Sequence, residues 1–317
     1  MPDSVITIDC QYIAPGIAAA YLLIHEGRAV FIENNTRYAV PHMLQALASR
    51  GLTPQDVEYA VITHVHLDHA GGSSALMEAC PNAQLLCHPR AARHVVDPAR
   101  LVAGSREVYG AERFDELYGE VGPVAAERVR SMNDDEVIDW HGRNLQFLHT
   151  PGHASHHMVI VDGCSDSVFT GDAFGVCYPP LQTNGTLVLP TSPPTDFDPE
   201  LSRQSVRRIM QTGCRQVFPT HFAQVDDPHT AADQLIKGFD FLENLLLQAE
   251  QRLLADMAPA LLLAECFQAI RSWVGEQTDS HRLALTDAQW QLLELDIELN
   301  AQGIVFAAGK RVKCGMG

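Results

Sequence analysis

The chain is short of positive charge: 22 Lys and Arg stand against 39 Asp and Glu, a formal net charge of −17 over 317 residues. That balance argues against nucleic acid, anionic membrane and polyanionic substrates as partners. CxxC pairs are also missing. The eight cysteines (Cys10, Cys80, Cys87, Cys164, Cys177, Cys214, Cys266 and Cys314) are scattered, which in a chain this long points to reduced, mostly buried thiols rather than a disulfide framework. No apolar run approaches the ~20 residues of a membrane-spanning helix. Met1-Pro2-Asp3-Ser4 has neither a basic region nor a long apolar core, so no signal peptide is expected. Internal repeats and low-complexity tracts are absent. The expectation is a cytoplasmic protein acting on a small molecule.

What the chain does have is a core and punctuation. With 46% hydrophobic and 19% charged residues it can bury a sizeable interior. Short apolar runs at Val5–Ile8, Ala18–Ile24 and Ala29–Ile32, parted by Pro15-Gly16 and Glu26-Gly27, predict successive strands. Tyr38 to Arg50 has helical spacing, with Pro41 in the first turn and Gly51 just past the end. Residues 89–127, rich in Arg, Ala and Glu, read as a helical insertion that covers the sheet or walls a pocket. Strands resume at Glu136–Asp139, Leu145–His149, Met158–Val161 and Ser167–Thr170. Residues 174–197 hold five prolines and read as a long loop beside the chemistry. Asp198 to Thr212 predicts a helix capped by Asp198. From about His229 the pattern turns helical throughout, giving a domain over 1–228 and a helical extension over 229–317. Leu242, Leu245, Leu246, Leu253 and Leu254 form a stripe in it that suits internal packing or a homodimer seam.

The chemistry concentrates at Thr63-His64-Val65-His66-Leu67-Asp68-His69, directly after the apolar strand Tyr59–Ile62. Imidazole and carboxylate are ligands suited to zinc and iron, with no thiolate needed. In extended chain His64 and His66 share a face, while Asp68 and His69 can turn to a second point, so one segment serves two metal positions. Three further strand ends add His153 in Thr-Pro-Gly-His, Asp172 after Gly171, and His221 after Pro219-Thr220. A carboxylate at Asp172 can bridge two cations about 3.5–4 Å apart. Of His156 and His157, one is expected to bond a backbone carbonyl and the other to face solvent, with a substrate contact as the alternative. Phe174, Tyr178 and Leu181 offer apolar contacts to a substrate.

His64-x-His66-x-Asp68-His69, His153, Asp172 and His221 together resemble the metal-binding set of the metallo-β-lactamase superfamily, over roughly residues 5–225. The resemblance implies a four-layer αβ/βα sandwich with a helical C-terminal extension. It implies two divalent ions, zinc first with iron or manganese as alternatives. His64, His66 and His153 would hold one, Asp68, His69 and His221 the other, and Asp172 would bridge. Thr-Pro-Gly-His-Ala and Phe-Thr-Gly-Asp-Ala are similar to glyoxalase II, lactonase and persulfide dioxygenase branches. The implied reaction is hydrolysis of an ester, thioester or lactone, with Asp68 as the catalytic proton acceptor and Phe174, Tyr178 and His157 near the substrate. One alternative is a mononuclear iron persulfide dioxygenase. Thr195-Asp196-Phe197 is faintly like a tripeptide of that branch, but Pro193-Pro194 replaces the expected Gly-Arg. A non-catalytic diiron oxygen-binding protein is the other, although such relatives carry Glu in the place of His66.

Overall fold

The computed structural model describes residues 5–194 and 196–315, so the expectations placed on Met1–Ser4 and on Thr195 lie outside the described residues. Six strands build the first sheet in sequence order: β1 (Ile6–Asp9), β2 (Ala19–His25), β3 (Arg28–Ile32), β4 (Val57–Val61), β5 (Gln84–Cys87) and β6 (Val129–Ser131). β1 to β3 pair antiparallel, with a tight turn between β2 and β3, and β3 to β6 pair parallel. Parallel neighbours need crossovers, and helices supply them: α1 (Val40–Ala48), α2 (Leu67–Ala70), α3 (Ser73–Ala79), α4 (Pro89–Val96), α5 (Ala99–Tyr109) and α6 (Ala111–Tyr118). The last three occupy the stretch read as an insertion. β6 was not expected, because three residues carry too short a pattern to stand out.

The second sheet holds β7 (Glu136–Trp140), β8 (Arg143–His149), β9 (Met158–Asp162), β10 (Ser167–Val176) and β11 (Gln216–His221), in the order β11-β10-β9-β8-β7. Between the sheets lies an aromatic core. Tyr21, Leu23, Val30 and Ile32 meet Trp140, Phe147, Ile160, Phe169 and Phe218, each contributing roughly 1.5–3 kcal/mol by leaving water. The other face of the first sheet packs Met43 and Leu47 of α1, Leu76 and Met77 of α3, and Ala91 and Val95 of α4. This explains why β2 and β3 read as unbroken apolar runs: both of their faces are covered. The fold is mixed α/β with two sheets and a C-terminal helical extension.

By compactness the chain divides into two units. One comprises the chain up to His149, with His156–Gly171 and Cys214–Gln224. The other takes Thr150–Ser155, Asp172–Gly213 and everything from Val225. The second unit contains α7 (Pro199–Gln211), α8 (Pro228–Leu254), α9 (Pro259–Ser280) and α10 (Asp287–Gly315). Asp198 caps α7 by accepting from the Leu201 N–H at 3.0 Å. Arg203 of α7 reaches Asp240 at 3.0 Å and Glu243 at 2.8 Å on α8. Leu242 and Leu246, part of the leucine stripe, are buried with Ile270 and Val274 of α9 and Ile297 and Ile304 of α10, whereas Leu254 is exposed. The extension has its own apolar interior.

Asn300 of α10 pins the Pro-rich loop. Its Oδ1 accepts from the Ser192 N–H, and its Nδ2 donates to the Pro190 carbonyl at 3.1 Å. At Gly303, one turn on, loop and helix backbones approach closely: a Cβ there would lie 1.8 Å from the Ser192 carbonyl oxygen. Among the described residues no helix is long and apolar enough to cross a membrane. Among the described residues no disulfide joins the eight cysteines, and five of them are buried. Burial pushes the Cys80 thiol up to about 11 and that of Cys87 to about 12, so neither is a ready thiolate.

Candidate metal centre

In the first unit the apolar strand β4 ends at Val61, and the next residues leave the sheet at once. The Thr63 N–H donates to Glu33 Oε1 at 3.0 Å, and Thr63 Oγ1 lies 3.0 Å from His64 Nδ1. His66 occupies the N-cap position of α2. Asp68 and His69 therefore sit on a single helical turn rather than in an open loop, which sends their side chains sideways from the strand direction. The His64 ring is 4.4 Å from that of His66 and 4.1 Å from that of His69, centre to centre.

Asp68 Oδ2 lies between two imidazoles, 3.6 Å from His69 Nε2 and 3.4 Å from His221 Nε2. One ligand atom from each of these three residues falls within 4.8 Å of the others. His221 closes β11, and its Nδ1 is 2.8 Å from the Ile17 carbonyl. The Nδ1 of His69 is 3.3 Å from Glu33 Oε2. In His64, His69 and His221 alike, Nδ1 faces a protein oxygen, which fixes the ring and presents Nε2. That is how metal-binding histidines are oriented, and the donor set of imidazole nitrogen and carboxylate oxygen suits a divalent cation.

The second unit repeats the arrangement once. His153 Nε2 is 3.3 Å from Asp172 Oδ2, and His153 Nδ1 is 2.9 Å from Thr191 Oγ1. Both His153 and Asp172 are buried. Asp172 stands inside β10, not just past a strand end as expected, because Gly171 adopts φ +50 and lets the strand kink and continue. A Cβ on Gly171 would meet Thr63 Oγ1 at 2.5 Å and His157 Nε2 at 2.6 Å.

The remaining expected residues fall as follows. His157 is fully buried with its ring 4.9 Å from that of His64, so it faces no solvent. His156 is half-buried, 6.0 Å from the His66 ring. Phe174 is fully buried, and Tyr178 is buried with its hydroxyl donating to Asp296 at 3.3 Å. Glu33 and Thr191 were not anticipated. A signal for Glu33 existed: Glu33-Asn34-Asn35-Thr36 is a polar run at the end of a parallel strand, and all four are buried. Thr191 had none, since its partner lies 38 residues away.

α6 brings aromatic residues beside this centre. Phe114 and Tyr118 pack on Leu67, the neighbour of Asp68, with Tyr12 and Tyr109 against them. Burial, and after it the charge of Asp68, hold the Tyr12 phenol well above the usual tyrosine range. Burial raises Tyr109 and Tyr118 too, so all three stay protonated.

The model of the metallo-beta-lactamase superfamily matches residues 13–221. A metallo-beta-lactamase fold-containing protein, ST1585, of Sulfurisphaera tokodaii is 27% identical over 200 residues, covering 62% of this chain and 69% of that one. The crystal structure of ST1585 from Sulfolobus tokodaii superposes with a TM-score of 0.64 at 20% identity, covering 95% of this chain and 98% of that one. An atrochrysone carboxyl ACP thioesterase of Aspergillus fumigatus is 25% identical, covering 68% of this chain and 56% of its own length. A hydroxyacylglutathione hydrolase of Aeromonas hydrophila is 24% identical, covering 47% and 46%. The chain thus spans about half the length of those two enzymes.

Proposed function

The chain belongs to the metallo-beta-lactamase superfamily, and from that premise we propose that it is a dinuclear metal-dependent hydrolase of esters, thioesters or lactones. The observation that carries the reading is Asp68 Oδ2 set between His69 Nε2 and His221 Nε2, with each Nδ1 already engaged by protein. His64, His66 and His153 would hold one ion, Asp68, His69 and His221 the other, with Asp172 shared. Zinc is the ion we expect, with iron or manganese as competitors for the same donors. Relatives named as a thioesterase and as a hydroxyacylglutathione hydrolase support the thioester class.

Divalent ions so held would bring the pKa of a bound water down toward about 7 and would polarise a carbonyl oxygen. The chain's own part is positional. Asp68 orients the attacking water and takes its proton at Oδ2, the oxygen already facing both imidazoles. His69 and His221 keep that carboxylate in place, and Glu33 and the Ile17 carbonyl keep the two rings from turning. No side-chain nucleophile or acyl-enzyme is needed. The test is a panel of esters, thioesters, lactones and a persulfide, assayed on protein loaded separately with zinc, iron and manganese. Hydrolysis with two ions per chain is expected. Persulfide oxidation with one iron, or oxygen binding with two and no turnover, would replace this reading.

A further inference from the structure

We propose that Asn300, on the last helix of the chain, is a positioning residue that acts through Thr191 to set the ring of His153. The effect on the ring belongs to the second unit alone, and its consequence for metal rests on the dinuclear reading of the centre.

The contacts run from ring to hydroxyl to loop to helix. His153 Nδ1 lies 2.9 Å from Thr191 Oγ1, and that hydroxyl donates to the Asp172 carbonyl at 3.5 Å. A hydroxyl has one hydrogen to give, so with it directed at a carbonyl the oxygen is left to accept from the ring. A neutral imidazole that offers Nε2 to a cation keeps its proton on Nδ1, which is the nitrogen Thr191 faces. His153 Nε2 in turn stands 3.3 Å from Asp172 Oδ2. Thr191 therefore orients both the ring and its proton.

Thr191 is itself gripped from α10. The peptide before it presents the Pro190 carbonyl, and the peptide after it presents the Ser192 N–H. Asn300 takes both: Nδ2 donates to the carbonyl at 3.1 Å, and Oδ1 accepts the N–H at 2.5 Å. An amide holds donor and acceptor in one plane, whereas a carboxylate lacks the donor. The Ser192 hydroxyl adds a bond to the Asn300 carbonyl at 3.2 Å, and Ser192 is fully buried. Upstream, Leu189 pairs with Val176 of β10 in both directions, at 2.9 and 3.0 Å. Gln234 of α8 fastens the Thr186 carbonyl at 2.8 Å and the Val188 N–H at 2.9 Å. Those hydrogen-bonded anchors stop at Leu189, while Asn300 closes over Thr191 from either side. Loss of Asn300 should thus leave the loop attached and let the two peptides around Thr191 turn, so the effect falls on His153.

The experiment titrates zinc into full-length protein against a chromophoric chelator. Asn300→Ala and Thr191→Val are each expected to weaken one of two ions about tenfold, the low end of what a lost ligand partner costs. The double variant should lose no more than the weaker single, because both changes act on one ring. Thr191→Ser keeps the hydroxyl and should bind zinc as the parent does. Leu262→Ala, which loosens the helical interior from α9, should lower the unfolding midpoint and leave zinc affinity unchanged. Asn300→Asp, which keeps the Ser192 acceptor and loses the Pro190 donor, replaces Asn300→Ala if the latter does not fold. Losses that add in the double variant, or equal weakening by Leu262→Ala, overturn the proposal. A crystal structure of the metal-free Asn300 variant reads the ring directly. Thr191 Oγ1 is expected out of hydrogen-bond reach of His153 Nδ1, and an unchanged contact also overturns the proposal. A parent chain that takes up no zinc, with the ring displaced in the variant, would sink the dinuclear reading and leave the positioning of His153 standing.

Discussion

Glu33 and His69 are paired in the interior of the first unit, Oε2 to Nδ1 at 3.3 Å, while the other carboxylate oxygen of Glu33 accepts the Thr63 N–H at 3.0 Å. One buried acid thus holds both a ligand ring and the backbone that leads into the histidine segment. The loss of a metal ligand's oriented partner costs roughly tenfold to a hundredfold in affinity.

Glu33→Gln keeps the acceptor for Thr63 and removes the charge facing His69. Zinc affinity, measured by competition with a chromophoric chelator, is expected to fall about tenfold or more. An affinity equal to that of the parent chain would show that Glu33 only anchors the backbone.

His66→Ala is expected to abolish turnover and to leave the cooperative thermal transition in place. His66 stands outside the aromatic core between the sheets, so its ring contributes to the centre more than to packing. A variant that loses the transition altogether would contradict this.

Asp172→Ala should lose more metal than His69→Ala, because in the proposed centre the carboxylate would serve two ions and the imidazole one. Atomic emission on both purified variants decides the order. Equal losses remove the bridging role.

Burial, then the neighbouring His149 and Arg90, push His88 down to about 4 from an ordinary 6.5. The folded chain therefore binds this proton less readily than the unfolded chain. Stability is unaffected above about 6.5 and falls as pH drops from there toward about 4, by on the order of 2 kcal/mol. His88 Nδ1 also caps α4, accepting from the Arg90 N–H at 3.0 Å. Asn can keep that cap, so His88→Asn should flatten the acid slope of the melting temperature in this window. The same slope in both proteins would refute the assignment.

Gly303→Ala tests the loop-to-helix approach. Alanine is better than glycine in a helix by about 1 kcal/mol, yet its Cβ would lie 1.8 Å from a backbone carbonyl. Overpacking typically costs about 1–3 kcal/mol and more against a rigid neighbour. The second effect is the larger, so chemical denaturation should show net destabilisation. A more stable variant would mean that the loop moves aside at little cost.

Much of the candidate site could be read from order and residue type. The four chemical segments each follow an apolar run, and alternation or a Pro-Gly turn accounts for their placement at strand ends. Asp172 departs from that rule because Gly171 lets β10 continue past the kink, and a glycine before an aspartate reads equally well as a turn. Local pattern also failed for β6, whose three residues are defined by pairing with β5. Glu33 and Thr191 are partners rather than ligands, and partnership over 30 or 38 residues leaves no periodicity to find. The contact between Tyr12 and Tyr118 was invisible for the same reason, since the two are 106 residues apart.

The clasp between Ser192 and Asn300 spans 108 residues, and this sets an order of events during synthesis. At about 5–20 residues per second, a ribosome that has just released Ser192 needs several seconds more before Asn300 emerges to meet it. Ser192, next to the threonine that steadies His153, therefore waits for the far helix. Translation arrested before α10 would yield a chain with every histidine and aspartate of the centre already made and the Ser192–Asn300 clasp still unmade. The clasp itself can close only after Asn300 has left the exit tunnel.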